Sequence, residues 1–398
     1  MSSFFVLGSH PSISLAELIQ TNPALSPITV RSKEIAVSES ALETADARRL
    51  GGLIKTGTII ASTDGSNPAL LEALHIHLKK HGSETRAKFG ISDYRPGASS
   101  TEKMGLAIKS LLKEAGTPAR FVSAKETTLS SVIVSTNKLL PPTGYDFCLF
   151  PNPDGGCDIG VTTYVQSFQS WSRRDFGRPR RDAKAGMLPP KLARMLVNLA
   201  NGNPTKDVLI DPFCGSGTVL MEAALLGYAH LIGSDITASA VANSKANLLW
   251  LRKDGYAVPP ILLMKTPAQE LPGLMAKKAD RIVAEVHLGA PKQGVETEKY
   301  LREEIKSLAV MYTQVLRQLG QIANKKAVAV LAFPIYRFGG TWLALPIKDI
   351  VEGSGWAIRP ATAKWPDRFN PSLSPNGGLL YARKEQHVGR DIIVLEKV

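Results

Sequence analysis

The stretch Asp211-Pro212-Phe213-Cys214-Gly215-Ser216-Gly217-Thr218 decides the reading of this chain. Before it runs DVLID (207–211), which reads as a buried strand. After it runs TVLMEAALLG (218–227), which reads as a helix stopped by Gly227. Main chain at such a strand-to-helix turn passes close to a ligand. Gly215 and Gly217 lack the Cβ atoms that would block the approach, and they tolerate positive φ. The helix start, at about 217–220, points N–H groups at a ligand carboxylate or ribose. Eighteen residues beyond Gly217, at the end of the next strand HLIGSD (230–235), stands Asp235, able to accept hydrogen bonds from both hydroxyls of a ribose.

Outward from this loop the chain alternates strand and helix. ASAVANSKANLLWL (238–251) is a helix; ILLM (261–264), RIVAE (281–285) and KAVAVLAF (326–333) are strands, the last two separated by a helix over 298–318. This pattern predicts a doubly wound parallel sheet. LLYAR (379–383) and DIIVLEKV (391–398) add two strands joined by a short loop, an antiparallel hairpin closing the sheet. A nicotinamide site would want GxGxxG, but Leu220 stands where the third glycine would be. The loop instead has the form of an S-adenosyl-L-methionine site in a class I (Rossmann-like) methyltransferase. Its Asp-Pro-Phe opening resembles the enzymes that methylate exocyclic amino groups of bases. The cofactor set expected from the loop is Asp211, Phe213, Gly215, Gly217, Asp235 and Ile236. The third strand usually delivers an acid to the adenine; here Pro267 stands at that place, so Ala268 or Gln269 is the expected substitute.

The chain has 398 residues, which suggests two or three domains, and its 44% hydrophobic and 21% charged content allows sizeable cores. A formal net charge of +13 fits a polyanionic partner. Cys148, Cys157 and Cys214 form no CxxC pair, so neither a zinc site nor a disulfide framework is expected. The N-terminal stretch has no basic, apolar leader, and no run approaches the roughly 20 apolar residues of a membrane span. The expectation is a cytoplasmic protein without membrane attachment or metal.

Ahead of the α/β region, SFFVLG (3–8), 28–37 and 52–61 read as strands, with helices at about 15–20, 41–49 and 67–81. Then KFGISDYR (88–95), ARFVSA (119–124), VIVSTNKLL (132–140), DFCLF (146–150) and CDIGVTTYV (157–165) read as strands, with a helix over 101–115. Both stretches are α+β units.

These pieces together resemble one family, the THUMP-containing tRNA guanine-N2 methyltransferases that act on guanosine 10. The matching segments are FFVLGSHPSISLAEL, GGLIKTG, KFGISDY, DFGRPRRDAKAGMLPPKLARMLVNLA, DPFCGSGTVLMEA, GSDI and LLYARKEQHVGRDI. They run essentially end to end, the methyltransferase part being the more specific. The resemblance implies a ferredoxin-like domain (1–80), a THUMP-like domain that holds the tRNA acceptor end (81–166), a basic linker (167–188) and a class I methyltransferase domain (189–398). It also implies that Met187-Leu188-Pro189 and Lys191 lie by the methionine end of the cofactor, which adds Leu188 to the binding set.

One segment departs from the family. Its catalytic loop, of Asp-Pro-Pro-Tyr type, follows the fourth strand. The acid and the next carbonyl accept hydrogen bonds from the target amine, and the aromatic ring stacks on the base. The chemistry requires acceptors because the attacking nitrogen must present its lone pair to the methyl group. Here the sequence is Ala284-Glu285-Val286-His287-Leu288-Gly289-Ala290-Pro291. Glu285 supplies an acceptor one methylene longer, and His287 a ring or base; both prolines of the motif and its tyrosine are absent.

The segment 167–194 is basic and dotted with aromatic residues. Arg173, Arg174, Arg178, Arg180, Arg181 and Lys184 are interleaved with Trp171 and Phe176, the combination that meets phosphates and stacks on unpaired bases. Arg178-Pro179 and the glycines suggest an extended linker. The expectation is a tRNA partner bound in a salt-sensitive way through these six cations; a small activator subunit is the other candidate partner. The function read from the sequence is adenosylmethionine-dependent tRNA guanine N2-methylation. The alternatives are a DNA amino-methyltransferase and a tRNA-binding protein that keeps the cofactor but no longer transfers its methyl.

Overall fold

The computed structural model describes residues 2–81, 87–98, 100–181, 187–361, 365–366 and 369–398. The chain forms two units, Met1–Ser170 with Trp365–Phe369, and Trp171–Lys364 with Asn370–Val398.

In the first unit the elements are β1 (Ser3–Leu7), α1 (Pro11–Thr21), β2 (Ile28–Val30), β3 (Ile35–Ser38), α2 (Thr44–Ala47), β4 (Leu53–Thr63), α3 (Asn67–His81), β5 (Ala87–Asp93), α4 (Glu102–Glu114), β6 (Ala119–Val122), α5 (Ser131–Thr136), β7 (Tyr145–Pro151) and β8 (Cys157–Val165). All eight strands join one sheet, in the order β2-β3-β1-β4-β8-β7-β5-β6. The segments before and after residue 80 therefore share a sheet, sewn together by antiparallel β4–β8 pairing from Lys55↔Val165 to Thr63↔Cys157. Lys55 and Asp146 form a fully buried ion pair at its centre, 2.7 Å apart. Ser92 and Thr162 donate to the two oxygens of Asp146 at 2.8 Å each. The four residues come from β4, β7, β5 and β8, so the polar cluster ties the central strands to one another.

Two segments differ from the sequence expectation in type. The single strand expected over 28–37 is split into β2 and β3 by a turn in which Ile35 N and Ser32 O bond each other. The strand expected over 132–140 begins as the helix α5, because Ser130 caps it, its hydroxyl accepting from Ile133 N. That cap overrides the β-branched run Val132-Ile133-Val134.

The second unit contains α6 (Phe168–Phe176), α7 (Pro190–Ala200), β9 (Val208–Asp211), α8 (Thr218–Leu225), β10 (His230–Asp235), α9 (Ala238–Lys253), β11 (Ile261–Lys265), β12 (Ala279–Glu285), α10 (Glu298–Ile322), β13 (Ala323–Phe338), β14 (Thr341–Ala344), α11 (Ile347–Val351), β15 (Trp356–Ile358), β16 (Leu379–Tyr381) and β17 (Val388–Lys397). The division between the units falls within α6. The sheet order is β11-β10-β9-β12-β13-β17-β15. β9 to β13 are parallel, and β17 runs antiparallel between β13 and β15. This is the class I, Rossmann-like methyltransferase arrangement read from the sequence. The expected hairpin is present as β16–β17, Leu379↔Ile392 to Tyr381↔Arg390, and β17 also pairs along nine residues of β13.

From β9 the chain winds outward through β10 and β11, then returns to add β12 on the other side. β9 and β12 are adjacent, with Ile210 opposite Ile282. Reversal of strand order at that point opens a crevice beyond the carboxyl ends of these two strands. One wall of the unit is α10, whose buried stripe Leu301, Ile305, Leu308, Tyr312, Val315 and Leu319 packs into the same core as β12 and β13. Thr297 starts it, its hydroxyl accepting from Tyr300 N.

Candidate active site

The glycine loop occupies the crevice. Gly215 has φ +50°, and a Cβ on it would meet only Phe213 O, at 3.9 Å, so the ligand side of the turn is unobstructed there. Gly217 has φ +83°, and a Cβ on it would approach Ser244 Oγ to 2.9 Å. Only glycine satisfies both conditions at 217. The loop is fastened from behind by α9. Ser244 Oγ donates to Gly215 O (2.9 Å), and Asn247 Nδ2 donates to Ser216 O (2.8 Å). Sequence reading passed over both residues, although two polar groups three apart on one helix face were the available signal.

Asp235 closes the turn from β10. Its Oδ2 accepts from Gly215 N at 3.1 Å, and its Oδ1 accepts from Thr237 N and Oγ1 at 2.9 and 3.0 Å. Each carboxylate oxygen keeps acceptor capacity beyond these bonds. Beside it Ile236 is 67% exposed, an apolar face at the mouth of the crevice. Phe213 is half-buried against the core; Leu188 and Ala268 are buried, and Gln269 is half-buried in the short 3-10 helix Ala268–Gly273. Thr266 N donates to Asp235 O, so the segment leading to Ala268 is tied to the end of β10.

Asp211, buried at the end of β9, accepts from Phe213 N at 3.1 Å. Burial holds its carboxyl well above the usual carboxylate range; the Phe213 N–H opposes this, and the charges of Asp235 and Glu285 add to it. Three acidic side chains thus converge on one crevice. Cys214 is no nucleophile, because burial pushes its thiol up to about 12. All three cysteines are free and buried. Among the described residues no group of three or more His, Cys, Asp or Glu could hold a metal ion.

Glu285 ends β12 and its Oε1 accepts from Arg390 Nε of β17 at 2.8 Å. Burial raises its pKa, and the Arg390 charge and hydrogen bond oppose that rise. The loop that follows has no proline before Pro291, yet it is braced from below. The Tyr312 hydroxyl donates to His287 O, and the Tyr336 hydroxyl donates to Leu288 O at 2.9 Å. Glu304 accepts from Ala290 N at 2.9 Å and pairs with Lys292 at 2.5 Å. Lys292, its side chain buried, also donates to Ala290 O at 2.7 Å and lies 5.3 Å from the ring centres of Tyr300 and Tyr336. Gly289 turns the loop with φ +81°. The His287 side chain is exposed. Sequence reading missed this brace because Tyr312 fits the apolar stripe of α10 and Glu304 its solvated face.

The basic segment is corrected by the structure. It is not extended throughout, since Phe168–Phe176 is the helix α6. Arg174 and Arg178, expected to meet tRNA, are buried. Arg174 and Arg194 both pair with Glu222, at 2.7 and 2.6 Å, and the guanidinium of Arg174 lies 4.1 Å from the centre of the buried Trp171 ring. Arg178 Nη1 donates to Thr218 Oγ1 at 2.6 Å. The reason is plain in the partners: a buried acid and a cofactor-loop hydroxyl, both remote in sequence, draw these cations inward. Arg173, exposed, pairs with Asp254. Arg180 and Arg181 are exposed, with Arg181 over the ring of the exposed Phe176. Lys184 lies outside the described residues.

Residues 178–337 match the family of RMKL-like methyltransferase domains. That is less than half of the chain, and it spans the glycine loop, Asp235, Glu285 and the braced loop. The tRNA (guanine(10)-N2)-dimethyltransferase of Methanothermobacter thermautotrophicus is 35% identical over 124 residues, 31% of this chain and 34% of that protein. The protein of the same name from Methanocaldococcus jannaschii is 35% identical over 150 residues, 37% of this chain and 38% of that one. The matched region spans little more than a third of the length of these curated relatives. TrmN from Thermus thermophilus shares the fold, with a TM-score of 0.57, 18% identity and full coverage of both chains. No helix among the described residues is long and apolar enough to cross a membrane.

Proposed function

We propose that this chain transfers the methyl group of S-adenosyl-L-methionine to the exocyclic N2 amine of guanosine 10 in tRNA. The observation that carries the reading is the convergence of Asp211, Asp235 and Glu285 around an unobstructed glycine loop at the sheet's switch point. The donor set fits the cofactor: Asp235 would hold the ribose hydroxyls, Ile236, Ala268 and Gln269 would flank the adenine, and Phe213, Leu188 and the loop amides would flank the methionine portion. When bound, adenosylmethionine supplies an electrophilic methyl on a positively charged sulfur, which a crevice lined by carboxylates favours. Similarity to relatives named tRNA (guanine(10)-N2)-dimethyltransferases supports the substrate.

Glu285 performs the proton work. Its carboxylate and the Val286 carbonyl accept the two N–H bonds of the target amine, aim the nitrogen lone pair and take up the proton released. His287 offers an exposed ring on which the base stacks. The Tyr312, Tyr336, Glu304 and Lys292 brace fixes the loop in place of the prolines that the related catalytic loop carries. The N-terminal unit is THUMP-like and holds the tRNA; Arg173, Arg180, Arg181 and Lys184 are the phosphate contacts that remain eligible.

Two effects test the assignments. Asp235→Ala removes the ribose acceptor, and adenosylmethionine affinity measured calorimetrically should fall by about tenfold or more, as expected for hydrogen bonds to a charged group. Arg390→Met removes the cation that holds the Glu285 pKa down against burial. Activity that needs ionised Glu285 is lost as pH falls through its pKa. The acid limb of the pH–rate profile should therefore move to higher pH in the variant; an unmoved limb would detach Glu285 from the rate-determining chemistry.

The function itself is tested by incubating the protein with methyl-labelled adenosylmethionine and either unmodified tRNA or DNA, then digesting to nucleosides. Label in N2-methylguanosine is the expected outcome. Label only in DNA would replace the substrate, and cofactor binding without transfer to either would make the protein a tRNA-binding relic of an enzyme.

A further inference from the structure

Among the described residues of the second unit four arginines are buried: Arg174, Arg178, Arg194 and Arg390. Three are matched by carboxylates, Arg174 and Arg194 by Glu222 and Arg390 by Glu285. Arg178, 3% exposed, is the exception: among the described residues no carboxylate pairs with it. Its Nη1 donates to Thr218 Oγ1, its Nη2 reaches Met187 Sδ at 3.4 Å, and its Nε meets no acceptor. Asp175 and Glu222 favour the charged guanidinium from beyond pairing distance, but among the described residues its hydrogen-bond partners are only a hydroxyl and a thioether, and desolvating such a charge is costly unless an anion pairs with it directly.

The missing anion has a natural place. Thr218 is the first residue of α8, directly after the positive-φ Gly217, so Arg178 lies against the helix start whose N–H groups also favour negative charge. The neighbouring strap is held to the same loop: Asn247 bridges Arg180 N and O to Ser216 O at 2.9, 2.8 and 2.8 Å. At 3% exposure the guanidinium is out of reach of an RNA phosphate, so the anion to consider is a small one at the adjacent glycine loop. On the reading that the crevice binds adenosylmethionine, we infer that Arg178 receives the α-carboxylate of its methionine portion. The planar fork matches a carboxylate's two oxygens, and Thr218 orients the guanidinium for it. Arg178 is thus a cofactor-binding residue that selects for the amino-acid end of the ligand.

The test compares adenosylmethionine with decarboxylated adenosylmethionine, which keeps the adenosine, sulfonium and amine but lacks the carboxylate. Dissociation constants are measured calorimetrically for the full-length wild type, Arg178→Met and Arg178→Lys. The wild type should prefer adenosylmethionine, and Arg178→Met should weaken it by about 30-fold or more while leaving the decarboxylated ligand within a few-fold. Arg178→Lys keeps the charge without the fork and should fall between; it supplies the comparison if the methionine variant does not fold. Equal losses for both ligands would assign Arg178 to scaffolding and overturn the inference, as would no loss for either. A wild type that binds neither ligand would overturn the cofactor reading itself, and this inference with it.

Discussion

Glu285→Gln should lower methyl transfer to tRNA by about two to three orders of magnitude while changing adenosylmethionine affinity by no more than a few-fold. The magnitude is that of removing one acceptor aimed at a developing charge, compounded by loss of the group that takes the proton. Glutamine is the informative substitute. Glu285 Oε1 accepts from the buried Arg390, and an alanine would leave that guanidinium without this partner, mixing a folding defect into the rate. The glutamine carbonyl still accepts from Arg390, so the fold should stand and only the charge is lost. The measurement is single-turnover transfer alongside calorimetric cofactor binding. Activity retained within tenfold would remove Glu285 from proton transfer and leave positioning by the loop as the source of rate.

The second large effect concerns stability. Glu222 is 1% exposed and pairs with both Arg174 and Arg194. The two guanidiniums also flank one face or edge of Trp171, at 4.1 and 5.2 Å from its ring centre. Glu222→Leu would leave two like charges buried without their shared acid. Breaking a buried pair in this way costs about 3–5 kcal/mol, which for a unit of this size lowers Tm by about 10 °C. Thermal unfolding followed by near-ultraviolet circular dichroism, which the buried Trp171 reports on, is the direct readout. Replacing all three charged residues by apolar ones of similar volume should restore much of the loss, because the penalty comes from the unpaired charges rather than from the missing bridge. A drop of less than about 1 kcal/mol for Glu222→Leu would mean that water reaches the pair.

What the sequence made legible follows from how local each feature is. The glycine loop, its flanking strand and helix, and Asp235 all lie within residues 207–235, and each carries its reason in its own composition. The doubly wound parallel sheet followed from the alternation of strands and helices, since parallel strands need crossover connections. The failures were non-local. The arginines at 174 and 178 resembled a polyanion-binding run because their partners, Glu222 and Thr218, stand 48 and 40 positions away. The brace under 285–291 draws on α10 and β13, where Tyr312 and Tyr336 look like ordinary core residues. α5 was read as a strand because β-branched side chains outweigh a single capping serine in any propensity argument, although the cap decides so short an element. Strands β14 and β15 carry too few residues, four and three, for periodicity to register.

The proposed chemistry turns on one atom, the exocyclic amine nitrogen of guanine. The most direct measurement uses a tRNA transcript in which the guanosine at position 10 is replaced by inosine, which lacks only that amine. Label transfer from adenosylmethionine should be robust on the unmodified transcript and fall to background on the inosine-substituted one. Equal labelling of the two transcripts would contradict the account, because the methyl group would then be going to an atom that Glu285 was not assigned to serve.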